Sequence, residues 1–274
     1  ERPSIDAPDG ARVGTSVAAI DPTWNQTDVT MTYQWRRAGI PIRDATSATY
    51  RIVAADRDKE LTVAVTGNKA SYPQATSVSE PVTVQSGAAA ENTAAPSLSG
   101  GTKVGEIVTA SPGQWSPSAT SFVYQWLRNG EPIGALSRST YALSAMDAGQ
   151  SISVRVHAQV PGLEDGVATS AAVVIAKLRS STTVTLPLTT VKASKKAKVT
   201  FTVAVPGIPA PGGTVTILDG KRVVKTVTLK AGARGTMTVT LPKLKKGKHT
   251  LKARYGGDSR ATASTSKAAG LKVV

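Results

Sequence analysis

Residues 102–157 read TKVGEIVTASPGQWSPSATSFVYQWLRNGEPIGALSRSTYALSAMDAGQSISVRVH. Shifted by 91 positions, they align without a gap on residues 11–66, with 18 of 56 positions identical. Val13-Gly14 returns as Val104-Gly105, and Trp24 as Trp115. Tyr33-Gln34-Trp35 returns as Tyr124-Gln125-Trp126; Gly39, Pro41 and Ile42 return as Gly130, Pro132 and Ile133. Tyr50, Asp56, Val63 and Val65 return as Tyr141, Asp147, Val154 and Val156. A unit of about 85–90 residues is the size of one small sandwich and far above a solenoid period.

The pattern inside each copy belongs to strands. Leu61, Val63 and Val65 alternate with Thr62 and Ala64, and Ile152, Val154 and Val156 alternate with Ser153 and Arg155. A period of two turns one face inward. Gly39-Ile40-Pro41 and Gly130-Glu131-Pro132 read as turns between neighbouring strands. After the second copy the repeat stops but the alternation continues. Val199, Phe201, Val203 and Val205 share one face, with Lys198, Thr200 and Thr202 on the other. Met237, Val239 and Leu241 oppose Thr236, Thr238 and Thr240; Leu251, Ala253 and Tyr255 oppose Thr250, Lys252 and Arg254. Asp219-Gly220 between two such runs is a hairpin signal. The expected fold class is all-β: three tandem antiparallel β-sandwich domains, at 1–85, 96–176 and 177–274. Residues 86–95, Ser-Gly-Ala-Ala-Ala-Glu-Asn-Thr-Ala-Ala, hold no large apolar side chain and read as a short linker.

Charge separates the third segment from the others. The chain of 274 residues has a net charge of +15. Residues 1–90 are net −1 and residues 91–176 net −2, whereas residues 177–274 hold 20 Lys and Arg against Asp219 and Asp258 alone, net +18. Such asymmetry implies a polyanionic partner: an anionic cell-wall polymer or polysaccharide, nonspecific nucleic acid, or a lipid surface. Solubility and the protection of sheet edges are the competing explanations. The candidate polyanion-binding residues are Lys192, Lys195, Lys196 and Lys198 before one strand, and Lys243, Lys245, Lys246 and Lys248 at another turn. Lysine suits point-charge attraction better than bidentate phosphate recognition. Phe201 and Tyr255 are this segment's only other aromatic-type readers and both fall on apolar faces, so base-specific reading is not expected.

At this point the residues carry a resemblance. Each copy runs Val-Gly, Trp, Tyr-Gln-Trp, Gly-x-Pro-Ile, Tyr, Asp and alternating valines, which resembles the Ig-like repeats of secreted and surface proteins of actinobacteria. The resemblance implies that Trp35 and Trp126 are strand C tryptophans packed between the sheets, and that Asp147-Ala148-Gly149 forms the corner into strand F. Asp56-Arg57-Asp58 departs from that corner and is expected to be looser. The third segment resembles a second bacterial Ig-like family, group 3, through Gly213-Thr214-Val215-Thr216-Ile217, Asp219-Gly220, Gly247-Lys248-His249-Thr250-Leu251 and Tyr255-Gly256-Gly257-Asp258-Ser259.

Chemistry is sparse. There is no cysteine, so disulfides and thiolate metal sites are excluded. No metal or cofactor is expected. His157 ends a valine-alternating strand. His249 sits among Lys246, Lys248 and Lys252, which would disfavour its charged form, with no carboxylate orienter apparent. Glu164-Asp165 reads as a solvated loop, and Asp56 as a turn residue bonded to backbone. Trp24 and Trp115 precede polar stretches: exposed, they would stack on sugars; buried, they would plug one end of the sandwich. No run of about 18 apolar residues is present, so no transmembrane segment is expected. No secretion signal precedes Glu1, which reads as a fragment or processed product.

The sequence therefore implies a non-catalytic extracellular region of a bacterial secreted or surface protein. It would serve as spacer, assembly or adhesion modules, in contact with other domains of a larger parent protein or with itself. The alternative is a carbohydrate- or wall-binding accessory region of a secreted hydrolase or nuclease.

Overall fold

The structure, a computed structural model, describes residues 1–274 apart from the side chain of Ala231. It is built of strands, with two short 3-10 turns at Ala54–Asp56 and Ala231–Ala233 among the described residues. Contacts divide the chain into two compact units.

The first unit comprises Glu1–Ala95, Pro112–Val123 and Val156–Ala168. Two antiparallel sheets form its larger part. Ser4–Asp6, Ser16–Ile20 and Thr49–Arg51 make one; Ile40–Pro41, Thr30–Arg37, Glu60–Asn68 and Ala75–Val78 make the other, with Val82–Thr83 also on Glu60–Asn68. The register sets Trp35 opposite Val63 and Tyr33 opposite Val65. Val13, Val17, Trp35, Ile52, Leu61, Val63, Val65 and Val84 close the core between them. The alternation of small β-branched residues leaves room for one large ring, and Trp35 fills it.

Residues 86–95 differ from the linker reading. Glu91–Ala94 is a strand paired antiparallel with Gln114–Ser116. Upstream, the Gly87 N–H donates to the Gly162 carbonyl at 3.0 Å, and the Glu164 N–H donates to the Gly87 carbonyl at 3.0 Å. Between those bonds Leu163 packs on the core that holds Trp35. A Cβ on Gly87 would collide with the Val13 carbonyl oxygen, and one on Gly162 would come within 2.8 Å of the Ala54 Cα. At Gly87 the side chain is missing because the backbone passes too close for one.

The second unit comprises Pro96–Ser111, Tyr124–Arg155 and Thr169–Val274. Ser97–Gly100, Ile107–Ser111 and Thr140–Ala142 form one antiparallel sheet. Trp126 is buried, 1% exposed. Its basic segment is a sandwich of its own. Ser181–Thr185, Lys198–Ala204 and Thr236–Thr240 make a three-stranded sheet. The facing sheet runs Thr190–Val191, Ala269–Val273, Gly247–Tyr255, Thr214–Asp219, Arg222–Thr228, antiparallel except for the first pair. Val199, Phe201 and Val203 point in and are buried, against Val215, Ile217, Leu251 and Tyr255. Asp219 pairs with Arg222 across a two-residue turn whose Gly220 has φ +59°, as the hairpin signal requires.

The corner in the first copy is not looser than that in the second. Asp58 has φ +61° where its counterpart Gly149 has φ +68°. The Asp58 N–H donates to Val84 and the Gly149 N–H to Ile175, each at 2.9 Å. Aspartate tolerates the left-handed region well enough to replace glycine here.

Candidate functional site

The repeated aspartates are the first place to look for chemistry, and they are structural. Asp56, 0% exposed, accepts from Arg37 Nε at 2.6 Å, the Tyr50 hydroxyl at 2.9 Å and the Val53 N–H at 2.7 Å. Asp147, also 0% exposed, accepts from Arg128 Nε at 2.8 Å, the Tyr141 hydroxyl at 3.0 Å, and the Ser144 N–H and hydroxyl at 2.7 Å each. Burial, and then the Asp56 carboxylate, push the Tyr50 hydroxyl up to about 12, so it stays a donor. Both oxygens of each carboxylate accept from fixed donors inside the corner. The turn reading of Asp56 holds for the Val53 bond. It missed the arginine and the tyrosine, although Arg37 itself returns as Arg128 at the same shift of 91.

Trp115 is a plug. It is 7% exposed, its indole N–H donates to the Pro112 carbonyl at 2.8 Å, and a Cβ on Gly166 would come within 2.8 Å of its ring. Its buried ring fits the plug reading, while one edge lines a concavity of about 340 Å³ together with Phe122. Trp24 is half-buried over Gly67, where a Cβ would come within 2.9 Å of its ring. The cavity beside it, about 80 Å³, falls well short of the roughly 300 Å³ at which ligand pockets begin. Glu164 and Asp165 are exposed in a loop, as expected.

His249 overturns its sequence reading. Its Nδ1 lies 2.6 Å from Asp219 Oδ2, and its Nε2 lies 2.8 Å from the Lys245 carbonyl oxygen. Both partners are acceptors, so the ring donates from both nitrogens when it is protonated. The Asp219 hydrogen bond, then that of the Lys245 carbonyl, hold its pKa above the ordinary 6.5 against the opposing effect of burial. Asp219 is 30 residues away and arrives through the register that sets it opposite Leu251. Protonated and held at both nitrogens, the ring has no lone pair to act as a base. The linkage sign follows from the raised pKa. The ion pair's stabilisation is complete below about pH 6.5, the unfolded value, and is lost as pH rises through the higher folded value. Denaturant unfolding across that window is expected to show a loss of about 1.5 kcal/mol, and His249→Gln should flatten it. An equal pH dependence in the variant would refute the assignment.

The lysines converge. Lys198 opens its strand opposite Thr240, where the neighbouring strand ends, and the Leu241 N–H donates to the Ala197 carbonyl at 2.9 Å. The turn holding Lys192, Lys195 and Lys196 and the loop holding Lys243, Lys245 and Lys246 therefore leave from the same end of the sandwich. In the facing sheet Lys248 lies directly opposite Lys272, and Lys272 opposite Thr190. The Asp219–Arg222 hairpin, with Lys221 at its tip, folds back there too, the Gly220 N–H donating to the Thr250 carbonyl at 2.9 Å. Clusters some 50 positions apart in the chain thus become one basic end, with Lys221, Arg222 and Lys272 added to those expected. Like charges in direct cross-strand register are destabilising unless an anion intervenes. Neither carboxylate of the segment is free to do so. Asp219 serves His249 and the Thr250 N–H, and Asp258 accepts from the backbone N–H groups of Arg260 and Ala261 at 2.8 and 2.7 Å. Among the described residues none of these lysines makes an ion pair with a side chain. Lys192, Lys195, Lys196 and Lys198 line a concave surface of about 450 Å³.

Residues 184–274 match the family of bacterial Ig-like domains, group 3. The three N-terminal domains of the Highly Immunogenic Outer Capsid protein (Hoc) of bacteriophage RB49 are 13% identical, with a TM-score of 0.41 over 100% of this chain and 99% of that one. The D1–D4 ectodomain fragment of ICAM-5 is 16% identical, TM-score 0.42, over 100% and 76%. The Escherichia coli adhesin FdeC is 15% identical, TM-score 0.32, over 99% and 96%. No curated protein matches the chain. The architecture is one of antiparallel β-sandwiches, and its basic end falls within the stretch that matches the bacterial Ig-like family model. No helix among the described residues is long and apolar enough to cross a membrane.

Proposed function

We propose that the chain is a non-catalytic region of a bacterial secreted or surface protein. In this reading, modules at 1–85, 96–176 and 177–274 act as spacer or adhesion units, and the last holds a polyanion. The observation that carries it is the gathering of both lysine clusters at one end, with the segment's two carboxylates engaged elsewhere. The buried aspartates, bonded within their corners, and His249, hydrogen-bonded at both ring nitrogens, support the absence of catalysis.

Retention of the full chain on immobilised anionic wall polymer and on DNA of unrelated sequences tests the reading. Binding is expected to be weak, indifferent to base sequence, and to fall steeply between about 50 and 200 mM salt, because counterion release drives it. Changing Lys243, Lys245, Lys246 and Lys248 together to Gln should weaken it with the melting profile intact, since all four side chains are exposed. Retention that ignores both salt and these substitutions would leave the lysines as solubility and edge protection.

A further inference from the structure

Exposed apolar residues lie beside the lysines. Pro187, Leu188 and Val191 line the same concavity as Lys192, Lys195, Lys196 and Lys198. Leu188 is 66% exposed, and Pro187 beside it is exposed as well. A lone surface leucine needs no explanation. An exposed leucine beside four ammonium groups, at the end of the sandwich away from Ser181, is a different matter. A water-borne polymer of phosphates or carboxylates has nothing apolar to lay against it. An anionic bilayer surface presents both complements at the right depths: phosphates for the ammonium groups, and acyl chain just beneath them for the leucine. Lysine suits that position, because its stem lies along apolar material while its charge stays at headgroup level. The weak hold of a single inserted apolar group is then joined to a basic patch, the pairing that stable peripheral attachment requires.

We propose that this end seats on an anionic lipid surface, with Leu188 and Pro187 inserted between headgroups and the neighbouring lysines on the phosphates. This rests on the polyanion reading above and names the polyanion.

The test is co-sedimentation of the full chain with vesicles of phosphatidylcholine containing phosphatidylglycerol, with phosphatidylcholine vesicles alone, and with soluble polyphosphate as a lipid-free competitor. Binding to the anionic vesicles and not to the neutral ones is expected. Lys192, Lys195, Lys196 and Lys198 changed together to Gln should weaken vesicle partitioning about six-hundredfold, each ammonium near an anionic surface being worth roughly fivefold. Leu188→Ser should weaken it about tenfold, the factor for losing one buried leucine, while leaving polyphosphate binding unchanged. Leu188→Phe should strengthen it. If polyphosphate binds but Leu188→Ser and Leu188→Phe partition like the parent chain, the lipid assignment is overturned and the polyanion reading stands. If neither probe binds, both fall.

Discussion

Truncating Trp35 or Trp126 to alanine lowers the stability of the sandwich that holds it by about 3–5 kcal/mol, the range for a fully buried tryptophan. Trp35 is 0% and Trp126 1% exposed. Each ring stacks on the tyrosine of its own copy, Trp35 on Tyr50 at 5.5 Å and 26°, Trp126 on Tyr141 at 5.3 Å and 28°. Each indole N–H donates to a carbonyl, Ser47 at 2.9 Å and Arg138 at 3.1 Å. Alanine leaves a cavity, unstacks the tyrosine and strips that carbonyl of its donor. Because the two settings match, the two losses should agree within about 1 kcal/mol, the scatter expected of similar cavities. Denaturant titrations of the single variants measure both. Unfolding curves that superimpose on the parent's would mean that these rings do not hold the sheets together.

Asp147→Ala should cost a similar amount, about 3–5 kcal/mol, by a different route. The substitution removes no large volume. It leaves the Arg128 guanidinium, 27% exposed, without its carboxylate, and strands the Tyr141 hydroxyl and the Ser144 N–H. Replacing both charges by apolar residues, as Arg128→Met with Asp147→Leu, should cost less than Asp147→Ala alone, because no buried charge is left unpaired. Acid titration gives a second readout. Burial works to raise the Asp147 pKa, but the Ser144 hydrogen bonds, followed by Arg128 and Tyr141, outweigh it and hold the carboxyl below its ordinary 3.8. A depressed folded pKa means that the contribution is complete above the unfolded value and is lost as pH falls through the folded one. Stability should therefore drop more steeply below about pH 4 in the parent than in Asp147→Asn. Parallel acid profiles would contradict this account of the corner.

What could be read in advance depended on how far apart the cooperating residues lie. Strand identity and inward faces follow from neighbours two positions apart, and the core tryptophans follow from the resemblance to Ig-like repeats. The Asp219–Gly220 hairpin follows from backbone preference alone. The pairing of His249 with Asp219 does not, because it is set by a register between strands 30 positions apart. The joining of the two lysine groups likewise depends on which strand ends meet, and composition is silent on that. The arginine of each corner was visible as a repeat identity, but a turn residue with enough backbone donors gave no reason to seek a further one. Residues 86–95 were misread for a similar reason: small side chains accompany slack chain and tightly approached chain alike.

On the proposed polyanion reading, the clustering of charge at one end of the basic sandwich also acts before any contact is made. A body whose positive charge lies off its centre feels a torque in the field of a distant polyanion, and turns its charged end forward during diffusion. Fewer collisions are then wasted on wrong orientations. The benefit falls on the rate of arrival rather than on the lifetime of the bound state, and it shrinks as added salt shortens the reach of the field to the order of 10 Å.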